Sequence, residues 1–349
     1  MRRVAFAVPG DLEAPTGGYA YDRRVIAELR QRGWRVDVIG LGAGFPWPHR
    51  LTRSAAKAHL LKVPPGDPIV IDGLAFAVLP EAARRLSCDH PLVALIHHPL
   101  AFESGLSAAQ SASLRQSESA ALSCAACVVT TSAATARCLI SAYGVAAARV
   151  SVAPPGTEPA SRARGSGSES VQLLSVGALV PRKGFDVLVA ALATVTDLKW
   201  HLSIVGDTGR DPKSAAELKA DIVRLKLSDR VAVLGALPAA DLARRYDAAD
   251  LFVLASRFEG YGMAFAEALA CGLPIVGTTA GAIPDTVPAD AGLLVAADDP
   301  IALAAALRRV IENRDARHKL AAGAWRAASR LPKWQDCAEI FAGVLESIA

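Results

Sequence analysis

Short apolar runs of strand length alternate with longer amphipathic stretches along the whole chain, and the alternation breaks off only once. Arg3–Val8, Arg35–Ile39, Ile69–Asp72, Leu92–His97, Cys127–Thr131 and Arg149–Ala153 read as strands, with helical patterns such as Gly18–Arg32 between them. The break is Pro154-Pro155-Gly156-Thr157-Glu158 followed by a Gly/Ser-rich stretch, a linker by composition. Strands then resume at Val171–Val176, Trp200–Val205, Val231–Leu234, Leu251–Leu254, Ile275–Val276 and Leu293–Val295. A strand followed by a crossover helix re-enters its sheet in parallel, so each array predicts a parallel sheet covered on both faces. The expectation is an α/β protein of two doubly wound, Rossmann-like domains facing each other across a cleft: 1–157, a linker at 158–169, and 170–331. A last helix over 332–349, carrying Trp334, Ile340, Phe341, Val344 and Leu345, is expected to pack back on the first domain. At 349 residues and 52% apolar side chains, the chain can fill a core in each.

A net charge of +4 argues against a dedicated nucleic-acid binder and suits a protein that handles anionic nucleotides. The opening Met-Arg-Arg-Val-Ala-Phe-Ala-Val-Pro9 has too few apolar residues for a secretory signal, and no later run reaches membrane-spanning length, so a cytoplasmic protein is expected. The 6 cysteines form no paired framework. Cys124-Ala-Ala-Cys127 is half of a zinc spacing with no second half, which leaves two small buried thiols. Arg50–Lys62 reads as a basic amphipathic helix, with Arg50, Arg53 and Lys57 on one side and Leu51, Ala55, Ala58 and Leu61 around the other. Such a helix is either a solvated face or a peripheral contact with an anionic membrane.

Most of the chemistry lies in Ser256–Pro274. Gly260 and Gly262 precede a short apolar helix, Met263–Ala270, whose free first-turn amides suit an anion. Cys271-Gly272-Leu273-Pro274 stops it. Glu259 falls in the loop and Glu267 on the helix, as two acids beside an anion site. A carboxylate repels phosphate but accepts two hydroxyl hydrogen bonds at once, so the pair suits the sugar and ribose that flank a diphosphate. The spacing is equally consistent with capping or solvated acids.

Other loops add candidates. Gly17-Gly18 opens a helix after the first strand, as a ligand-facing turn or simply a tight one. Gly40-Leu-Gly42-Ala-Gly44-Phe45 fails the dinucleotide fingerprint, since Phe45 takes the last glycine position and Pro46 and Pro48 follow. His97 and His98 end a buried strand, where an imidazole can donate or accept near neutral pH, and Glu103 follows. In Gly177-Ala178-Leu179-Val180-Pro181-Arg182-Lys183-Gly184, Lys183 can neutralise a diphosphate or be merely solvated; the spacing is not that of a P-loop.

In this order, Gly-Gly, a strand-end His, Gly-x-Leu-Val-Pro-Arg-Lys-Gly and Glu-Gly-Tyr-Gly-Met-x-x-x-Glu, the chain resembles the retaining, family-four glycosyltransferases of GT-B fold, over nearly its whole length. The segment Ala-Gly-Leu-Leu-Val-Ala-Ala-Asp-Asp-Pro and the tryptophan-bearing last helix belong to the likeness. The resemblance implies transfer of a sugar from a nucleoside-diphosphate donor to a hydroxyl acceptor, with retention and without a metal; no Asp-x-Asp pair is placed to hold one. By the same resemblance, Glu259 holds the donor sugar's hydroxyls, Glu267 the ribose, and the amides of Gly260, Tyr261 and Gly262 the sugar and phosphates. Lys183 pairs with the departing diphosphate, Gly17, Gly18 and Gly177 approach the donor, and His97 touches the sugar near the reacting carbon, a role for which His98 competes. Ala178 departs from the family, which usually has an arginine there; Arg182 is the expected replacement. The alternatives are a catalytically weak sugar-nucleotide-binding protein, suggested by Ala178, and a sugar-nucleotide epimerase.

Overall fold

Aliphatic strands, the central ones buried on both faces, build each of the two sheets. The computed structural model describes residues 2–348 as two compact units, one running to Gly156 and resuming at Pro332, the other Thr157–Leu331. In the first, β1 (Arg3–Val8), β2 (Arg35–Gly40), β3 (Ile69–Asp72), β4 (Leu92–Ile96), β5 (Cys127–Thr130) and β6 (Val150–Val152) are parallel, in the order β2-β1-β3-β4-β5-β6. The helices are α1 (Gly17–Gln31), α2 (Arg50–Leu60), α3 (Gly73–Phe76), α4 (Pro80–Leu86), α5 (Ala108–Leu122) and α6 (Ala133–Tyr143). Strand order reverses between β1 and β3, so the loops after these strands diverge and leave a crevice at their carboxyl ends.

The second unit carries β7 (Val171–Val176), β8 (Trp200–Val205), β9 (Val231–Val233), β10 (Leu251–Val253), β11 (Ile275–Thr278) and β12 (Gly292–Val295), again parallel, in the order β12-β11-β10-β7-β8-β9. Around them lie α7 (Phe185–Ala193), α8 (Pro212–Arg224), α9 (Ala239–Ala248), α10 (Met263–Ala270), α11 (Ile283–Thr286), α12 (Pro300–Glu312) and α13 (Arg314–Ala328). Here the reversal lies between β7 and β10, which are the two strands that lead into Lys183 and Glu259. The core is aliphatic around the large rings of Trp200, Phe252 and Phe265.

The last helix, α14 (Trp334–Ile348), belongs to the first unit. Its Phe341 stacks on Phe6 of β1 with ring centroids 6.2 Å apart, and Cys337 Sγ lies 3.3 Å from the Tyr21 hydroxyl. Gly156 makes this return possible: a Cβ there would fall 2.2 Å from the Trp334 amide nitrogen.

Two local expectations are revised. The Gly/Ser-rich stretch has no helix or strand, yet it is docked on the second unit: Ala163 N donates to Cys271 O at 2.8 Å, Gly165 N to Asp247 O at 3.0 Å, and Ser166 Oγ to Asp250 Oδ2 at 2.6 Å. On α2, the residues read as an apolar face point outward. Leu51 is 84% exposed, and Ala55, Ala58 and Leu61 are exposed too, while Ala56 and Leu60 face the core. A pair spaced i, i+4 suffices to seat so short a helix, and the remaining apolar side chains stay beside Arg50, Arg53 and Lys57 in solvent. Cys124 and Cys127 are half-buried free thiols. No helix among the described residues is long and apolar enough to cross a membrane.

Candidate active site

In the second unit the candidate residues converge at the carboxyl ends of β7 and β10. After β7 the chain passes Gly177 and Ala178 and makes a 3-10 turn, Pro181–Lys183. It enters α7 through Gly184, at φ +64. The Lys183 side chain lies over Gly177, where a Cβ would come within 3.1 Å of its Cε. Its ammonium donates to Glu259 Oε1 at 2.6 Å, and Ser256 Oγ donates to the same oxygen at 2.6 Å. Arg182 Nη1 donates to Phe258 O at 2.8 Å and stands 3.4 Å from Glu259 Oε2. The Glu259 loop is pinned from behind by Gly281: Ala282 N donates to Glu259 O at 2.9 Å, and a Cβ on Gly281 would lie 2.2 Å from that oxygen.

Burial alone would raise the Glu259 pKa. The fields of Lys183 and Arg182, with hydrogen bonds from Lys183 and Ser256, outweigh it and bring the carboxyl down to about 2. Glu259 is therefore ionised and fixed. No basic residue lies between the two acids in sequence; the bases come from the neighbouring loop, which only the sheet order brings close. Gly262, at φ +90, precedes α10 with no side-chain cap, which leaves first-turn amides for a ligand. Glu267, one turn along α10, accepts from the Tyr246 hydroxyl at 2.8 Å. Burial raises the Glu267 pKa, partly offset by Tyr246 and Lys183. Tyr246 and Ser256 were not anticipated; an acid close behind a strand and a tyrosine late in the preceding helix are too common to signal their meeting.

In the first unit, Gly17 and Gly18 form the first turn of α1, capped by Thr16 Oγ1, which accepts from Tyr19 N at 3.2 Å. Gly18 faces the His97 ring, since a Cβ would sit 3.5 Å from its Cδ2. His97 follows β4, and its Nε2 lies 3.2 Å from Asp22 Oδ1 on α1 and 3.3 Å from Asp72 Oδ2 at the end of β3. His98 turns instead to Glu103, with Nε2 to Oε2 at 3.2 Å. Burial works to lower the His97 pKa, but the hydrogen bonds and charges of Asp22 and Asp72 prevail and hold it up at about 10. Asp22, Asp72 and His97 offer ligand atoms all within 4.8 Å of one another, the group among the described residues that could take a metal ion.

The segment holding Lys183, Glu259 and Glu267 lies in residues 157–326, which match the family model described as glycosyl transferases group 1; residues 69–161 match glycosyltransferase family 4. Together the two models, both of glycosyltransferases, span residues 69–326 of the chain. Over 217 residues it is 34% identical to a D-inositol 3-phosphate glycosyltransferase of Xylanimonas cellulosilytica, covering 57% of this chain and 52% of the relative. The chain spans about half the length, or less, of the curated relatives it matches. Among solved structures, sucrose-phosphate synthase from Thermosynechococcus elongatus superposes with a TM-score of 0.84 at 22% identity, covering 99% of each chain. Anabaena HepE, crystallised with UDP and glucose, gives 0.76 at 21% identity, covering 99% of this chain and 100% of that one. These likenesses establish the GT-B fold for this chain.

Proposed function

We propose that the chain is a retaining, metal-independent glycosyltransferase that moves a sugar from a nucleoside-diphosphate sugar to a hydroxyl acceptor. The observation that carries this reading is the Lys183–Glu259 pair at the strand-order reversal of the second unit, beside the uncapped start of α10. A cation held on a fixed carboxylate, next to free amides, suits a diphosphate flanked by hydroxyls. On donor binding, Glu259 takes the sugar's hydroxyls and Lys183 takes the diphosphate, joined by the amides of Gly260, Tyr261 and Gly262. Glu267 accepts from the ribose, and His97 with the amides of Gly17 and Gly18 contacts the donor. The bond from the anomeric carbon to the phosphate oxygen breaks as the bond to the acceptor oxygen forms on the same face. The acceptor's proton passes to the departing phosphate oxygen, so Glu259 acts as a binder of the sugar and not as a nucleophile.

Leaving-group charge is met by Lys183, Arg182 and the helix dipole, which leaves no step for a metal. Transfer measured with UDP-, GDP- and ADP-sugars, after a thermal-shift screen of the same donors, is expected to proceed undiminished in EDTA; loss of turnover that added divalent metal restores would remove the metal-independent assignment. Ala178 favours a second reading, a nucleotide-sugar binder with weak turnover, because the charge of the usual arginine is missing. Tight donor binding with neither transfer nor hydrolysis across the acceptor panel would select it.

We further propose peripheral contact with anionic lipid through α2. Leu51 and Trp47, 84% and 51% exposed, are close in sequence to Arg50, Arg53 and Lys57, which are exposed as well. Each cation near such a surface contributes about 1 kcal/mol, so replacing all three with glutamine should lower partition onto phosphatidylserine vesicles by about two orders of magnitude. Co-sedimentation reads this directly, and wild-type protein left in the supernatant refutes it.

A further inference from the structure

His97 is gripped in an unusual way: both neighbouring carboxylates face the same ring nitrogen. Asp22 Oδ1 and Asp72 Oδ2 lie 3.2 and 3.3 Å from Nε2, from different elements, α1 and the end of β3. Both aspartates are buried, and each is fixed. Asp72 also caps α3, its Oδ1 accepting from Leu74 N at 2.7 Å. Asp22 lies on α1 one turn beyond Gly18, whose backbone packs on the imidazole. The ring is further set by Tyr21, edge-on at 5.3 Å, and the His97 carbonyl accepts from Thr131 Oγ1 at 3.1 Å. Nδ1 has no hydrogen bond within the described residues, and a fifth of the side-chain surface is open.

We propose that Asp22 and Asp72 are paired positioning residues that clamp the Nε2–H of His97 and leave Nδ1–H as the single nitrogen offered to a ligand oxygen. This rests on the reading of His97 as a donor-sugar contact and deepens it. A nitrogen shared by two buried carboxylates keeps its proton, so His97 presents a fixed cationic donor to the substrate and does not act as a general base. Three charged groups would leave the cluster at a net negative charge. Burial and the neighbouring Asp72 push the Asp22 carboxyl up, the hydrogen bond and charge of His97 pull against this, and Asp22 Oδ2 is enclosed without a hydrogen-bond partner. The other titratable groups nearby are Tyr21, which donates to Ala153 O at 2.9 Å, Cys337 behind it on α14, and His98 with its own partner Glu103. None of these replaces the two aspartates at Nε2.

The test is NMR of ¹⁵N-histidine-labelled full-length protein without donor, with the His97 ring signals assigned by their loss in His97→Gln. Both ring nitrogens of wild-type His97 are expected to stay protonated well above neutral pH. In Asp22→Asn and Asp72→Asn, which keep the shape and remove the charge, the midpoint should fall by about one to three pH units. Transfer by these variants should then lose kcat selectively on the alkaline side, with KM little changed. A wild-type His97 that titrates in the ordinary histidine range overturns the proposal, and this measurement holds even where a variant fails to fold. Two other results overturn it equally: unmoved titration in both folded variants, or a stoichiometric divalent cation that displaces the Nε2 proton. Because the titration needs no substrate, a protein that shows it but transfers no sugar refutes the proposed function alone.

Discussion

Replacing Lys183 with alanine is expected to cut kcat by about 10²–10³-fold, the loss found when one donor to a developing oxyanion is removed from a preorganised site. Without a donor substrate the ammonium sits on Glu259 at 2.6 Å, so it is already ordered and its carboxylate partner already ionised. Binding then exchanges partners within a built network and does not recruit a mobile side chain. Arg182→Ala should cost less, because that guanidinium also holds the Phe258 carbonyl; a loss above about tenfold identifies it as the replacement for the arginine missing at Ala178. Wild-type turnover in Lys183→Ala would sink the assignment. The same variant carries a stability signature. The folded Glu259 pKa lies below its unfolded value, so the stabilisation is full above the ordinary glutamate range and fades as pH falls toward about 2. The stability gap between wild type and Lys183→Ala should therefore be widest near neutral pH and close in acid, as denaturant titrations at several pH values would show.

Gly184→Ala is expected to destabilise the second unit by more than about 4 kcal/mol, in the tail of single substitutions where a backbone clash or a broken core is the cause. A Cβ at this position would lie 2.0 Å from the Ala255 carbonyl oxygen, which is backbone and cannot swing aside. The φ of +64 adds left-handed strain of about 1–2 kcal/mol. Gly235→Ala, in the same unit, separates the two effects: its φ is +72 but nothing lies within 4 Å of the added carbon, so only the strain of about 1–2 kcal/mol should appear. Because the units can unfold separately, the readout is the transition of Trp200 fluorescence in the second unit, with the other tryptophans replaced by phenylalanine. A Gly184→Ala protein with the wild-type midpoint would contradict the packing described at this turn.

Much of this was legible in the chain. Strand positions followed from apolar runs whose both faces are buried, as in β4, and the ends of α10 followed from Gly262 and Cys271-Gly272, because a left-handed residue at each end leaves few alternatives to glycine. The face of α2 did not follow, since on a short helix an alanine and a leucine one turn apart outweigh a larger apolar set that finds no neighbour. The docking of the Gly/Ser segment was equally hidden, because its partners Asp247, Asp250 and Cys271 are remote in sequence.

The sequence by itself determined that each half makes a parallel α/β sheet, that Lys183, Glu259 and His97 lie in loops after strands and that Glu267 lies on the helix that follows, because periodicity and turn chemistry are local. Tertiary structure alone decided what these residues touch. Strand order sets β7 against β10, so Lys183 and Arg182 meet a carboxylate more than 70 residues away, and sets β3 between β1 and β4, so Asp22 and Asp72 close on one nitrogen of His97. Charge pairing in a buried site depends on distance in space, and distance in space is the one quantity that a local pattern does not carry.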